Sequence, residues 1–270
     1  MELKTELVGK TMENLNPSRS KGKFQGMENL MSTEMSRWKH SIAWWLQIGI
    51  MLGMMNGIME LAIIGSGEGP EFGLMIFFIF LGVYPPMSLA TSIQSAIVKE
   101  KNDGTAAWVL SKPATRLAFI TSKYLTNTIS MCLTMVVAPM AVAYIQFLAR
   151  GIVPNLVGTL AVVGMMTIWN FFWLSMGIML GTVMKSHKAV MGTMLAIYFI
   201  FVGSGSSMPM ILNPAVFYPE SSSVPGSSLS ICADFFLGIQ PIMNFSMIWL
   251  VGASVLFVAI SIRRFLKQEL

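Results

Sequence analysis

Long apolar runs, separated by short charged segments, dominate this chain. A helix needs roughly 20 apolar residues to cross the hydrocarbon core of a bilayer, and a helix satisfies its own backbone hydrogen bonds where no water is present. Six runs are long enough to do so. The pattern predicts an all-α membrane protein with six spans, at residues 42–64, 72–98, 117–148, 156–183, 189–211 and 239–262.

The segment before the first run has a different pattern. From Leu30 to Ile42 the apolar residues recur at helical spacing, and charged residues such as Glu34 and Arg37 fall on the remaining face. This spacing is typical of an amphipathic helix that lies along a membrane surface. Residues 1–27 have no such pattern, so we expect a disordered cytosolic tail there and a single six-span domain at 28–270.

Lysine and arginine are distributed unevenly between the two predicted sides of the membrane. All of the 18 basic residues except Arg150 fall in the N-terminal segment, the second and fourth connections or the C-terminal tail. Because basic residues accumulate on the cytosolic side, both termini are expected to be cytosolic, in a plasma or inner membrane. The net charge of +5 follows from this asymmetry and does not indicate a nucleic-acid partner.

The sequence contains no recognisable catalytic or metal-binding set. Residues 9–11 (Gly-Lys-Thr) match the end of a phosphate-binding loop, but the leading glycine is replaced by Lys4 and no strand precedes it. The histidines and cysteines have no ligand or catalytic spacing: His40, His187, Cys132 and Cys232. We therefore expect a non-catalytic chain that holds no metal or cofactor.

The charged segment between the second and third runs, residues 98–123, carries the most specific pattern. Gly104 allows a turn, and Pro113 cannot continue a helix. Residues 105–110 are therefore predicted to form a short helix whose N-terminus Asp103 or Thr105 could cap. Trp108 would give that helix an aromatic anchor for a partner.

Five elements of this segment together resemble the loop between the second and third spans of type-2 ATP-binding-cassette (ABC) permeases. They are Glu100, Gly104-Thr105, Pro113, Thr115-Arg116 and Lys123, with Ser122 in place of the usual glycine before the lysine. The resemblance implies the membrane subunit of an ATP-driven exporter, with ATP hydrolysed by separate cytosolic ABC ATPase subunits. The residues expected to couple the chain to that ATPase are Glu100, Lys101, Gly104, Thr105, Trp108, Pro113, Arg116 and Lys123.

The resemblance also implies an interfacial helix before the first span and short helices, possible parts of an outer gate, within residues 203–238. From the residues themselves, Glu100 is expected to pair with Lys101 or Arg116, or to hold the end of the second span in register.

Glycines at four-residue spacing form a ridge on the first span, which allows close helix approach. Gly49, Gly53 and Gly57 could pack within the subunit or against a second permease chain, and the resemblance favours the second chain. Whether that chain is identical or related is left open. Gly177 and Gly181 form a shorter ridge on the fourth span, where we expect internal packing.

Polar residues inside the runs are few. Asn56 and Glu60 share one face of the first span, so they could line a pathway, or Glu60 could simply be solvated near the outer surface. Pro85 and Pro86 remove two backbone donors from the second span, and the resulting kink could line a pathway or be structural.

Two further functions remain open from the sequence. The chain could anchor or assemble a cytosolic partner without transporting anything, or it could be a six-span channel or ion-coupled carrier. The sequence does not identify a substrate, although the sparse polar residues suit amphiphilic or lipid-like cargo slightly better than a bare ion.

Overall fold

The computed structural model describes residues 22–67, 69–93, 95–111, 114–203, 231–238 and 246–267, and every regular element in them is helical. The chain begins with an interfacial helix, Met27–Lys39, as the amphipathic pattern predicts. Within these described ranges, five helices are long and apolar enough to cross a membrane. We call them the first to fourth spans and the last span: Trp44–Ser66, Phe72–Asn102, Arg116–Ala149, Leu156–Val183 and Met247–Leu266.

The count of six spans is supported only in part. The predicted fifth span corresponds to the helix His187–Gly203, which is apolar but has 17 residues, and residues 204–211 lie outside the described part of the chain. Of the predicted last span, 239–262, the described part belongs to the helix Ser246–Leu266, and residues 239–245 lie outside the described part of the chain. The side of the membrane on which the termini lie stays a prediction.

The fourth span forms the centre of the packing. It contains long buried stretches and meets the other spans through bulky aromatic residues such as Trp173, whose ring lies 5.4 Å from that of Tyr198. A Cβ on Gly177 would lie 2.5 Å from Ile93 Cγ2, so the fourth span approaches the second more closely than alanine would allow. Gly181 also faces the second span, and the expected internal packing of this ridge is confirmed.

Besides a π-helical turn at Ser95–Lys99 in the second span, two further turns of this kind lie in spans that contact each other. They are Leu52–Gly57 in the first span and Cys132–Val137 in the third. Asn56, inside the first turn, donates to the backbone oxygen of Pro139 just beyond the second, at 2.9 Å. Such turns are rare and frequently lie at functional sites, and here they bring the first and third spans into polar contact.

The proline pair of the second span lies buried within the helix Pro70–Ser92. Because Pro86 has no N–H, the oxygen of Gly82 loses its helical donor. The indole nitrogen of Trp169 on the fourth span donates to that oxygen at 3.0 Å. A neighbouring span thus donates to this carbonyl, and the contact ties the proline pair to the fourth span.

A short helix, Ile231–Leu237, lies beside the start of the fourth span, and we call it the outer helix. The backbone nitrogen of Asn155 donates to Phe236 oxygen at 2.9 Å. Phe236 is fully buried, with its ring 5.3 Å from Phe147 and 6.1 Å from Phe78. This helix falls within the region 203–238, where short helices were expected, but residues 204–230 lie outside the described part of the chain.

Candidate functional site

An ion cluster joins three elements at the predicted cytosolic end of the bundle. Lys123 of the third span is 3% exposed, and its Nζ lies 2.6 Å from Glu100 Oε1 and 2.9 Å from Glu34 Oε1. Glu100 lies near the end of the second span, and Glu34 lies on the interfacial helix. A buried ammonium is tolerated only when it is paired and hydrogen-bonded, so this lysine holds the three elements together.

Arg37 completes the cluster from the interfacial helix. Its guanidinium lies 3.5 Å from Glu34 and 3.7 Å from Glu100, although its side chain is 63% exposed. Two carboxylates are therefore balanced by two cations. We call Glu34, Arg37, Glu100 and Lys123 the inner ion cluster.

The expected partners of Glu100 were wrong. Lys101 Nζ instead approaches the backbone oxygen of Thr182, at 3.5 Å, and Arg116 donates to that of Leu266 at 3.3 Å. Both cations thus reach carbonyls at the inner ends of other spans, the fourth and the last. The sequence places Lys123 far from Glu100 along the chain, so its role as the partner depends on how the second and third spans pack.

A short helix, Thr105–Leu110, follows the second span, and we call it the loop helix. It begins after Gly104, whose φ of 70° lies in the left-handed region that favours glycine. Neither expected side-chain cap forms at Asp103 or Thr105, because the turn at Gly104 starts the helix without one. Trp108 is 60% exposed on this helix. Pro113 lies outside the described residues.

The far end of the loop is attached to the residues that precede the interfacial helix. Thr115 caps the third span by accepting a hydrogen bond from the nitrogen of Ala118, and its hydroxyl donates to Lys23 oxygen at 2.7 Å. Its own backbone nitrogen donates to Gln25 oxygen at 3.1 Å. These contacts had no signal in the sequence, since Lys23 and Gln25 belong to the segment assigned to the tail.

A polar cavity of about 550 Å³ lies between the interfacial helix, the inner end of the second span and the third span. The third span contributes a stripe of polar residues at helical spacing, Lys123, Thr126, Asn127 and Ser130. Thr126 is 5% exposed, and its hydroxyl has no hydrogen-bond partner in the part of the chain described. This stripe was not predicted, although its three- and four-residue spacing is visible in the sequence.

The polar residues of the first span contact the third span. Asn56 also donates to Gln146 Oε1 at 3.1 Å, and Arg150 forms an ion pair with Glu60. Glu60 thus has a charged partner, while its side chain stays 34% exposed, and both expected roles of Glu60 remain predictions. A pathway role for Asn56, Glu60, Pro85 and Pro86 stays a prediction.

The glycine ridge of the first span does not pack against another described part of the same chain. A Cβ on Gly49 or Gly53 would meet nothing within 4 Å, and the nearest atom to one on Gly57 is Leu52 oxygen of the same span at 4.0 Å. Exposed apolar side chains continue this face toward the interfacial helix, with Trp45 68% and Ile42 84% exposed. The face is therefore open to lipid or to a second chain.

The loop helix is therefore connected, through the end of the second span and the buried ionic contacts of Lys123, to the third span and the interfacial helix. Two comparisons with known proteins bear on its use. A family model described as "ABC-2 family transporter protein" matches residues 4–270. No curated protein matches the chain.

Proposed function

The chain belongs to the ABC-2 transporter family, and from that premise we propose that it is the permease subunit of an ATP-driven exporter. Membership makes it a multi-pass membrane transport protein. The proposal adds that separate cytosolic ABC ATPases hydrolyse ATP, that they drive the chain through residues 99–116, and that transport is outward. The permease itself performs no chemistry.

The observation that carries the proposal is the inner ion cluster. The loop helix continues directly from the second span, whose end is held by Glu100 on the buried Lys123. Because Glu34 binds the same ammonium, a push on the loop moves the third span and the interfacial helix together with the second span. Lys101 and Arg116 extend the contact to the fourth and last spans.

The loop helix also offers a surface for the ATPase. Trp108 is exposed, while Ala106 two residues earlier is buried against the chain, so one side of the helix packs inward and the other faces outward. Large aromatic residues of this kind dominate the energy of many protein interfaces. The groove that receives Trp108 would belong to the ATPase subunit.

We further propose that a second permease chain packs on the open face of the first span. The face combines small residues, Gly49 and Gly53, with exposed aromatic and aliphatic side chains. In a bilayer, small residues promote association because they let helix backbones approach closely.

Purification of the tagged chain in mild detergent, followed by an assay of co-eluting ATPase activity, tests the main proposal. We expect an ATPase partner, and we expect Trp108→Ala to weaken its binding by about 30-fold, the effect of losing an interface anchor worth ~2 kcal/mol. Trp249→Ala is the matched control, since Trp249 is 75% exposed on the last span, away from the loop.

Three outcomes separate the candidate functions. Transport by reconstituted vesicles that requires ATP and the partner, and that Gly104→Pro abolishes without preventing membrane insertion, supports the exporter. A partner without any transport would favour the anchoring protein. Flux without partner or ATP would favour the channel or carrier.

The pairing of permease chains has its own test. Gly53→Leu should reduce the dimer fraction in single-molecule photobleaching of labelled chains in lipid, because a branched side chain separates the two backbones. Gly164→Leu is the control, as Gly164 also has open space around it but lies on the fourth span. Equal dimer fractions in both variants would rule out the first-span interface.

A further inference from the structure

The polar cavity beside the inner ion cluster has the dimensions and lining of a ligand site. Its volume of about 550 Å³ lies within the range of small-molecule pockets, roughly 300–1,000 Å³. It has an exposed end, marked by Lys99 and Asp103, and a buried end, marked by Thr126 and Ser130. The buried end lies within the third span, about three to four helical turns from the start of that span at Arg116.

The charges that line the cavity indicate what it can hold. Within the inner ion cluster the two carboxylates and two cations balance each other. Lys99 and Asp103 then add one positive and one negative charge at the exposed end. The lining therefore carries no net charge, which favours a ligand with one positive and one negative group over an ion of either sign.

The hydroxyl of Thr126 supplies an independent observation. The other neutral side chains of the polar stripe are satisfied by their own helix, since Asn127 donates to Lys123 oxygen and Ser130 to Thr126 oxygen. Among these three residues, only the side chain of Thr126 has no described hydrogen-bond partner, and the residue is 5% exposed. An unmade hydrogen bond at such a buried position is costly, and a ligand acceptor would remove the cost.

The position of the cavity points to lipid as the source of the ligand. Trp38 lines the cavity and packs edge-on against Trp44, with Trp45 adjacent and exposed. Clustered tryptophans mark the interface between bilayer and water, which is where phospholipid headgroups lie. An indole face also favours contact with a quaternary ammonium group.

We propose that this cavity binds the headgroup of a zwitterionic phospholipid from the inner leaflet, with the phosphate toward Thr126 and Arg37 and the amine toward Asp103 and Trp38. This lipid class is then the cargo of the exporter, an assignment that rests on the proposed function. Because Glu100 and Lys123 also line the cavity, headgroup binding and the loop share the same ion cluster.

Lipid binding is tested on the full chain alone, without ATPase or ATP. The chain is reconstituted in vesicles of phosphatidylcholine and phosphatidylglycerol in equal amounts, extracted in mild detergent and examined by native mass spectrometry. We expect retained phosphatidylcholine, bound about fivefold more weakly by Thr126→Val, the effect of one lost neutral hydrogen bond.

Thr128→Val is the matched control. It is the same isosteric substitution two residues further along the span, but the hydroxyl of Thr128 already donates to Tyr124 oxygen of its own helix. Asp103→Asn should shift retention toward phosphatidylglycerol, since it removes the negative charge that meets the amine. Equal retention by wild type and Thr126→Val, or a wild-type preference for phosphatidylglycerol, would overturn the proposal.

Two further measurements separate a lipid source from a free headgroup, and failure of the lipid site from failure of the proposed exporter. Displacement of the lipid by free phosphocholine at equal concentration would overturn an inner-leaflet source. If phosphatidylcholine binds as expected but no ATPase co-purifies, the lipid site stands and the exporter fails. If the ATPase co-purifies and lipid retention is unaffected by Thr126→Val, the exporter stands and the lipid site fails.

Discussion

Ion pairs attach the third span at both of its ends, but the two sets of pairs differ in burial. At the inner end, Lys123 is 3% exposed and binds two carboxylates that are 22% and 15% exposed. At the outer end, Glu60 and Arg150 form a single pair whose side chains are 34% and 26% exposed. Burial makes the inner cluster costly to open, whereas water can replace either partner of the outer pair.

The outer end is held mainly by the fit of backbones instead. A Cβ on Gly158 would lie 1.7 Å from the backbone oxygen of Phe235, so the outer helix rests directly on the fourth span. The inner end is thus held by buried charge, whereas the outer end combines a closely fitted backbone contact with a partly exposed ion pair.

The largest effect is expected from Lys123→Ala. It leaves Glu34 and Glu100 close together without their buried cation, and removing one partner of a buried pair costs about 3–5 kcal/mol. Unfolding in mixed detergent micelles should report that loss. Transport coupled to ATP should disappear in any protein that remains folded.

A double variant separates the charge from the packing of the lysine stem. Glu100→Gln combined with Lys123→Met removes one charge of each sign and keeps much of the side-chain volume, so it should regain part of the stability lost in Lys123→Ala. A double variant as unstable as Lys123→Ala would show that the ion cluster is not what holds this end.

Gly158→Ala tests the fitted contact at the outer end. The added methyl group meets backbone, which cannot rotate away, so the outer helix must move, at a cost of about 1–3 kcal/mol typical of overpacking. Gly164→Ala, on the same span with open space around it, should instead be neutral or slightly stabilising. Hydrogen exchange of residues 231–238 should increase in the first variant alone.

Trp169→Phe tests the contact midway between the two ends. It removes the indole donor to the oxygen of Gly82 beside Pro86, and the net loss of one such hydrogen bond costs about 1 kcal/mol. We expect reduced stability and altered proteolysis near the proline pair. Trp249→Phe, at an exposed position on the last span, controls for the loss of indole volume. Equal losses of stability in the two variants would show that the hydrogen bond is not the cause.

The sequence predicted those features of the fold that depend on local pattern. Apolar run length sets a spanning helix, so the fourth span agrees at both ends, 156–183, and the third within one residue at each end. Amphipathic spacing likewise located the interfacial helix. Both depend only on residues near one another in sequence.

Partners across the bundle could not be predicted in the same way. Glu100 was assigned a neighbour in its own loop, but Lys123 reaches it because two spans pack side by side, and Glu34 joins because the interfacial helix folds back. The contact of Trp169 with Gly82 likewise joins residues far apart in the chain. Pro86 predicts that a carbonyl is freed, but it does not predict which side chain satisfies it.

The smallest effect on stability is expected from Glu60→Gln at the outer end. Because the pair with Arg150 is partly exposed, its loss should cost at most about 1 kcal/mol, and salt should reduce the difference between variant and wild type. If the outer end opens during transport, the same variant should change the transport rate more than it changes the free energy of unfolding. A loss of stability as large as that of Lys123→Ala would show that both ends are held by buried charge, and the contrast between them would fail.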